Sequence, residues 1–178
     1  MASNFITNNN DQHKTLKSRI NKLIGICDEL KFLVGFFYFS GWEELYVSLK
    51  NNPGVNIKLL VGLQVDKLLS HVVEHGNQEQ GMSNDEQFSR FMTSLGFAIN
   101  NDEMDTEEFY NQVVFFLEMI EEGRLIIRKT ENPNHAKLYL FKLNDAQADI
   151  QNMQGQFITG SSNLTKAGLS GQEEFNVE

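Results

Sequence analysis

The 178-residue sequence predicts an α/β fold: a mixed, largely parallel β-sheet sandwiched between helices. Three observations carry that reading. An amphipathic helical pattern opens the chain, two apolar runs separated by a short helix follow as a β-α-β unit, and a second strong helix leads into further strands. Residues Leu16, Ile20, Leu23, Ile24, Cys27 and Leu30 recur at helical spacing and predict a helix over 13–30. Residues 32–39, Phe-Leu-Val-Gly-Phe-Phe-Tyr-Phe, are apolar on both faces, as a central strand covered on each side requires. Phe36, Phe37, Tyr38 and Phe39 look like an aromatic box, although core packing explains them more simply.

Ser40-Gly41 breaks the strand, residues 42–50 read as a short helix, and Asn51-Asn52-Pro53-Gly54 reads as a turn. Residues 55–63 form the second strand, parallel to the first through a right-handed crossover. Residues 64–84, polar and containing Gly76 and Gly81, read as a partly mobile insertion. Helices are predicted near 84–96 and over 106–122. The latter has Thr106 as its cap, Glu107 and Glu108 at its positive end, a stripe of Phe109, Val113, Phe116, Leu117 and Ile120, and Gly123 to end it. Strands at 125–129, 135–142, 156–159 and from Phe175 onward complete the set, with 144–155 as a polar loop. No internal repeat is visible.

The length suits one domain, 1–178, with a core of its own. No apolar run reaches the roughly 18–20 residues of a membrane span, the N-terminus has no signal-like character, and Cys27 is the single cysteine; a cytoplasmic location is the expectation. The net charge of −9 opposes casual nucleic-acid binding, since phosphate contacts supply most non-specific affinity. Arg124, Arg128, Lys129, Lys137, Lys142 and Lys166, however, cluster around residues 135–163, which allows either a basic cleft on an acidic body or a solvated charged face. His71 and His75, four apart, lack a convincing third metal ligand.

The chemistry-bearing stretches are residues 135–141, His-Ala-Lys-Leu-Tyr-Leu-Phe, and 156–163, Gln-Phe-Ile-Thr-Gly-Ser-Ser-Asn. In a strand His135 and Lys137 project on one face, which places an imidazole beside an ammonium. The second stretch ends in a turn rich in backbone N–H, hydroxyl and amide donors suited to an anionic oxygen. A histidine nucleophile, a cation and neutral donors are what phosphodiester cleavage needs.

These residues resemble the phospholipase D superfamily, whose pattern is H-x-K, a downstream acid, then G-S-x-N. His135, Lys137, Gly160, Ser161 and Asn163 stand at matching positions, and residues 163–168 with Asn176-Val177-Glu178 look like the continuation. The resemblance covers residues 124–178 and is closest to the nuclease branch, which includes metal-independent restriction endonucleases and modules at the N-terminus of bacterial helicases. At the family's acidic position this chain has Lys142.

The resemblance implies a phosphodiesterase acting on DNA through a phosphohistidine on His135, with no metal and no other cofactor. Lys137, Ser161, Ser162 and Asn163 would hold the phosphate, and Glu178 would accept the second ring N–H of His135. The family uses two H-x-K halves; with one per chain, the second histidine is expected from a homodimer sharing one active site. A helicase or DNA-recognition domain beyond residue 178 is the further expectation, and a membrane partner is not expected. The alternative is a degenerate binding or assembly module of a helicase-like protein, to which Lys142 and the acidic surface point.

Overall fold

A computed structural model describes residues 5–8, 14–65 and 106–178. The predicted insertion at 64–84, the helix near 84–96, and His71 and His75 lie outside the described residues, apart from Gln64 and Val65 at the end of a strand.

Seven strands form one sheet: β1 (Phe5–Thr7), β2 (Cys27–Phe37), β3 (Asn56–Val65), β4 (Leu125–Lys129), β5 (Leu138–Leu143), β6 (Gly155–Gly160) and β7 (Phe175–Val177), in the order β1-β7-β6-β5-β2-β3-β4. The expected mixed α/β architecture is present. Parallel pairing is confined to β2-β3 and β3-β4, where the chain crosses over through helices. The other four pairings are antiparallel, because β5, β6 and β7 return along one another and β1 adds to β7, so the sheet is mixed but not largely parallel.

Helix α1 (Leu16–Ile24) begins at Thr15, whose hydroxyl accepts from Ser18 N–H at 3.1 Å. It is shorter than the spacing implied. Cys27 and Leu30 belong to β2, and a register shift between Cys27 and Glu29 lets two residues three apart share the buried face, which imitates helical periodicity. The short helices α2 (Phe39–Glu43) and α3 (Tyr46–Asn51) make the crossover between β2 and β3. Helix α4 (Glu107–Glu121) starts as expected, with Thr106 Oγ1 accepting from Phe109 N–H at 3.1 Å, and ends where Gly123 turns left-handed at φ 70°. Residues 144–155 hold a helix that the sequence reading missed, α5 (Asp145–Gln151). Asn144 caps it by accepting from Gln147 N–H at 2.9 Å, and Asn152 closes it at φ 51°.

One core joins the buried stripes of α1 and α4 to Leu30, Phe32, Val34, Leu59, Val61, Tyr139, Phe141 and Ile158 of the sheet. Trp42 and Phe39 of α2 dock edge-on against Phe116 of α4 with ring centroids 4.9 and 5.7 Å apart. The opposite face of the sheet exposes Leu60, Ile126, Leu140 and Phe157. No helix of the described residues is long and apolar enough to cross a membrane.

Candidate active site

The segment carrying His135 is stitched to β3 before it enters β5. Thr130 N–H donates to Val61 O at 3.0 Å, and Asn134 N–H donates to Gly62 O at 3.0 Å. Asn134 Oδ1 then accepts from Ala136 N–H at 2.7 Å, an Asx turn that presents the residue between them, His135. Gly62 permits this seat: a Cβ there would lie 2.7 Å from the Asn134 carbonyl carbon and overlap its oxygen. The imidazole of His135 is exposed and has no hydrogen bond among the described residues.

The strand expected from His135 starts at Leu138 instead, because the 134–136 turn takes the backbone out of the ladder. Lys137 therefore does not stand beside His135 as a strand neighbour. Its Nζ folds back to donate to His135 O at 2.6 Å. Thr159 Oγ1 ties the same residue to β6 by donating to Lys137 O at 2.9 Å.

The Gly160–Asn163 turn is anchored from below. Ser162 is wholly buried, with its carbonyl accepting from Tyr139 OH and its hydroxyl from Asn176 Nδ2, both at 2.8 Å. Tyr139 and Asn176 are also 0% exposed, so the three form a fully enclosed polar network. Burial, reinforced by the nearby charge of Glu174, pushes the Tyr139 phenol well above its ordinary pKa and keeps it a donor. Ser162 is consequently an anchor of the turn and not the phosphate contact expected of it, since its hydroxyl faces the core.

Asn163 closes the arrangement. Its Oδ1 accepts from Phe36 N–H at 3.0 Å, which leaves Nδ2 as the donor. A Cβ on Gly35 would come within 3.2 Å of Asn163 Oδ1 and 3.5 Å of Lys137 Nζ. The bare backbone of Gly35 thus leaves room that both the ammonium and the amide border. Gly168 serves the same turn, since a Cβ there would lie 2.8 Å from Asn163 N.

Glu178 is not beside His135. Its carboxylate is held by Arg19 of α1, through Nε at 2.6 Å and a second contact from the guanidinium, while that guanidinium also donates to Gln156 Oε1 at 2.8 Å. The register explains the correction: Val177 is level with Thr159, and Thr159 with Leu138, so Glu178 lies inward along the sheet while His135 lies beyond the end of β5. The carboxylate at the site end is Glu174, which accepts from Ser161 Oγ. Ser161 further accepts from Phe175 N–H at 3.1 Å and sits on the exposed side of the turn. The family-like Asn176-Val177-Glu178 spacing that suggested Glu178 does not point to Glu174, which precedes β7.

The expected basic cluster divides by strand direction. Lys129, Lys137 and Lys166 fall at the site end. Lys142 is level with Glu29 at the far end, and Arg124, also there, pairs with Glu122 at 2.5 Å. Arg128 lies on the open face of the sheet, in a shallow hollow with Ile126, Leu60 and Leu140. Cys27 has its thiol pushed up to about 12 by burial and by Asp28, and is chemically inert.

No protein-family model matches the chain, and no curated protein matches it in sequence.

Proposed function

We propose that this chain is a nuclease-type, metal-independent phosphodiesterase domain that acts on DNA, as part of a restriction or helicase-associated protein. The observation that carries the reading is that Lys137 Nζ and the Asn163 amide both border the bare Cα of Gly35, with Lys137 Nζ on the carbonyl of an exposed His135 whose ring is uncommitted among the described residues.

In this reading the imidazole attacks phosphorus, forming a P–N bond as the P–O bond to the leaving alkoxide breaks. A second imidazole on the opposite side gives that alkoxide its proton, then takes one from the water that releases the phosphate. One such histidine per chain places the second on another copy, and a two-fold axis near His135 supplies it. Lys137 turns from the His135 carbonyl to the non-bridging oxygens, where Asn163 Nδ2 adds a donor and the Ser161 hydroxyl adds another on turning from Glu174. Glu178, expected to orient the histidine, is held by Arg19 instead, and Glu174 engages the Ser161 hydroxyl.

A second reading is a degenerate module that keeps an anion pocket for binding or assembly; Lys142 at the family's acidic position and the net charge of −9 favour it. Cleavage of DNA in excess chelator by the wild type and by His135→Ala separates the two.

A further inference from the structure

The four aromatics of residues 36–39 divide cleanly between two environments. Phe37 and Phe39 are buried in the core, 0% and 3% exposed. Phe36 and Tyr38, alternating with them, are only partly covered and lie edge-to-face with ring centroids 6.3 Å apart. Core packing therefore accounts for one pair and leaves the other half-buried. Their position is tied to the candidate site through the backbone: Phe36 N–H donates to Asn163 Oδ1 at 3.0 Å, Leu164 N–H to Phe36 O at 3.2 Å, and Tyr38 N–H to Leu164 O at 3.1 Å. The Tyr38 hydroxyl has no hydrogen bond among the described residues.

We infer that Phe36 and Tyr38 form a stacking subsite for an unpaired nucleobase next to the phosphate held by Lys137 and Asn163, which makes single-stranded DNA the preferred substrate. The inference rests on the phosphodiesterase reading. A base offers its π-face to an aromatic ring only when it is out of a duplex stack, and such stacking tolerates any sequence. The subsite also supplements charge: on a chain of net charge −9, with Lys129, Lys137 and Lys166 at the site end among the described residues, base stacking supplies affinity that phosphate contacts alone do not.

The test compares wild type, Tyr38→Leu and the double variant Phe36→Leu/Tyr38→Leu on two single-stranded oligonucleotides, one intact and one with abasic sugars flanking the scissile position. Dissociation constants by anisotropy and kcat/KM in chelator are both read. On the intact strand each variant should bind roughly 5- to 150-fold more weakly, the range per stacked base on aromatic removal. On the abasic strand the variants and the wild type should agree, and Tyr38→Trp should retain full affinity for the intact strand. Equal losses on both strands, or no loss on the intact one, overturn the subsite. Wild type that binds with this base dependence but cleaves neither strand overturns the phosphodiesterase reading and leaves the subsite standing. Unchanged melting temperatures of the variants exclude misfolding as the cause of lost affinity.

Discussion

Gly62→Ala perturbs the seat of His135, the proposed nucleophile, without altering any residue assigned to the proposed site. The added Cβ would stand 2.7 Å from the Asn134 carbonyl carbon and 2.9 Å from its Cβ, and carbon atoms settle at about 3.5–4.0 Å. The 130–137 segment must therefore retreat by roughly 1 Å. Asn134 N–H and Thr130 Oγ1, which now donate to Gly62 O at 3.0 and 3.3 Å, are the bonds that stretch. Both lie near the surface, so the loss in stability should be modest, about 1–2 kcal/mol for bonds of this kind. The effect on chemistry should be larger, because a displacement of about 1 Å in a reacting group costs on the order of 100-fold in rate. The assay is single-turnover cleavage of a labelled oligonucleotide in chelator, beside thermal melting. A fall in rate of about 100-fold with a small change in melting temperature is expected. Wild-type turnover by a folded Gly62→Ala protein would refute the claim that this seat positions His135.

Two further outcomes test the scaffold. Tyr139→Phe leaves the Ser162 carbonyl unpaired in a site with no solvent, at a cost of about 1–3 kcal/mol, or a drop in melting temperature of roughly 2–12 °C for a chain of this size; an unchanged melting curve would show that the turn is held some other way. Glu29, held below its ordinary 4.5 first by the hydrogen bond from Lys58 and next by that from Lys31, contributes stability that is present above about pH 4.5 and fades as pH falls through its lowered folded value. The stability gap between wild type and Glu29→Gln should accordingly be open at pH 7 and closed in strong acid, and a gap independent of pH would contradict the ion pairs.

Much of the fold could be read from pattern, and the errors have identifiable causes. The apolar runs of β2 and β3 and the cap and stripe of α4 were visible because each is a strong local signal. The overlong first helix arose from the shift between Cys27 and Glu29, which only a neighbouring strand reveals. Helix α5 was missed because its signal is a cap, Asn144 over Gln147, with Ala148 as its buried contact. At the proposed site, the spacing of His135, Lys137 and Asn163 marks them as candidates in the sequence, and the fold brings Lys137 and Asn163 to Gly35. Which carboxylate serves them depends on how β5, β6 and β7 align, and that alignment moves Glu178 to Arg19 and brings Glu174 to Ser161. The buried role of Ser162 was equally hidden, since its partners Tyr139 and Asn176 come from two other strands.

The most direct measurement of the central claim is DNA cleavage in excess EDTA by the wild-type chain and by His135→Ala, with melting curves recorded on the same samples. Cleavage that persists in chelator and is abolished by a His135→Ala protein that melts as the wild type does is the predicted result. Cleavage that vanishes in EDTA and returns with Mg²⁺ or Zn²⁺, or that survives the loss of His135, would contradict it.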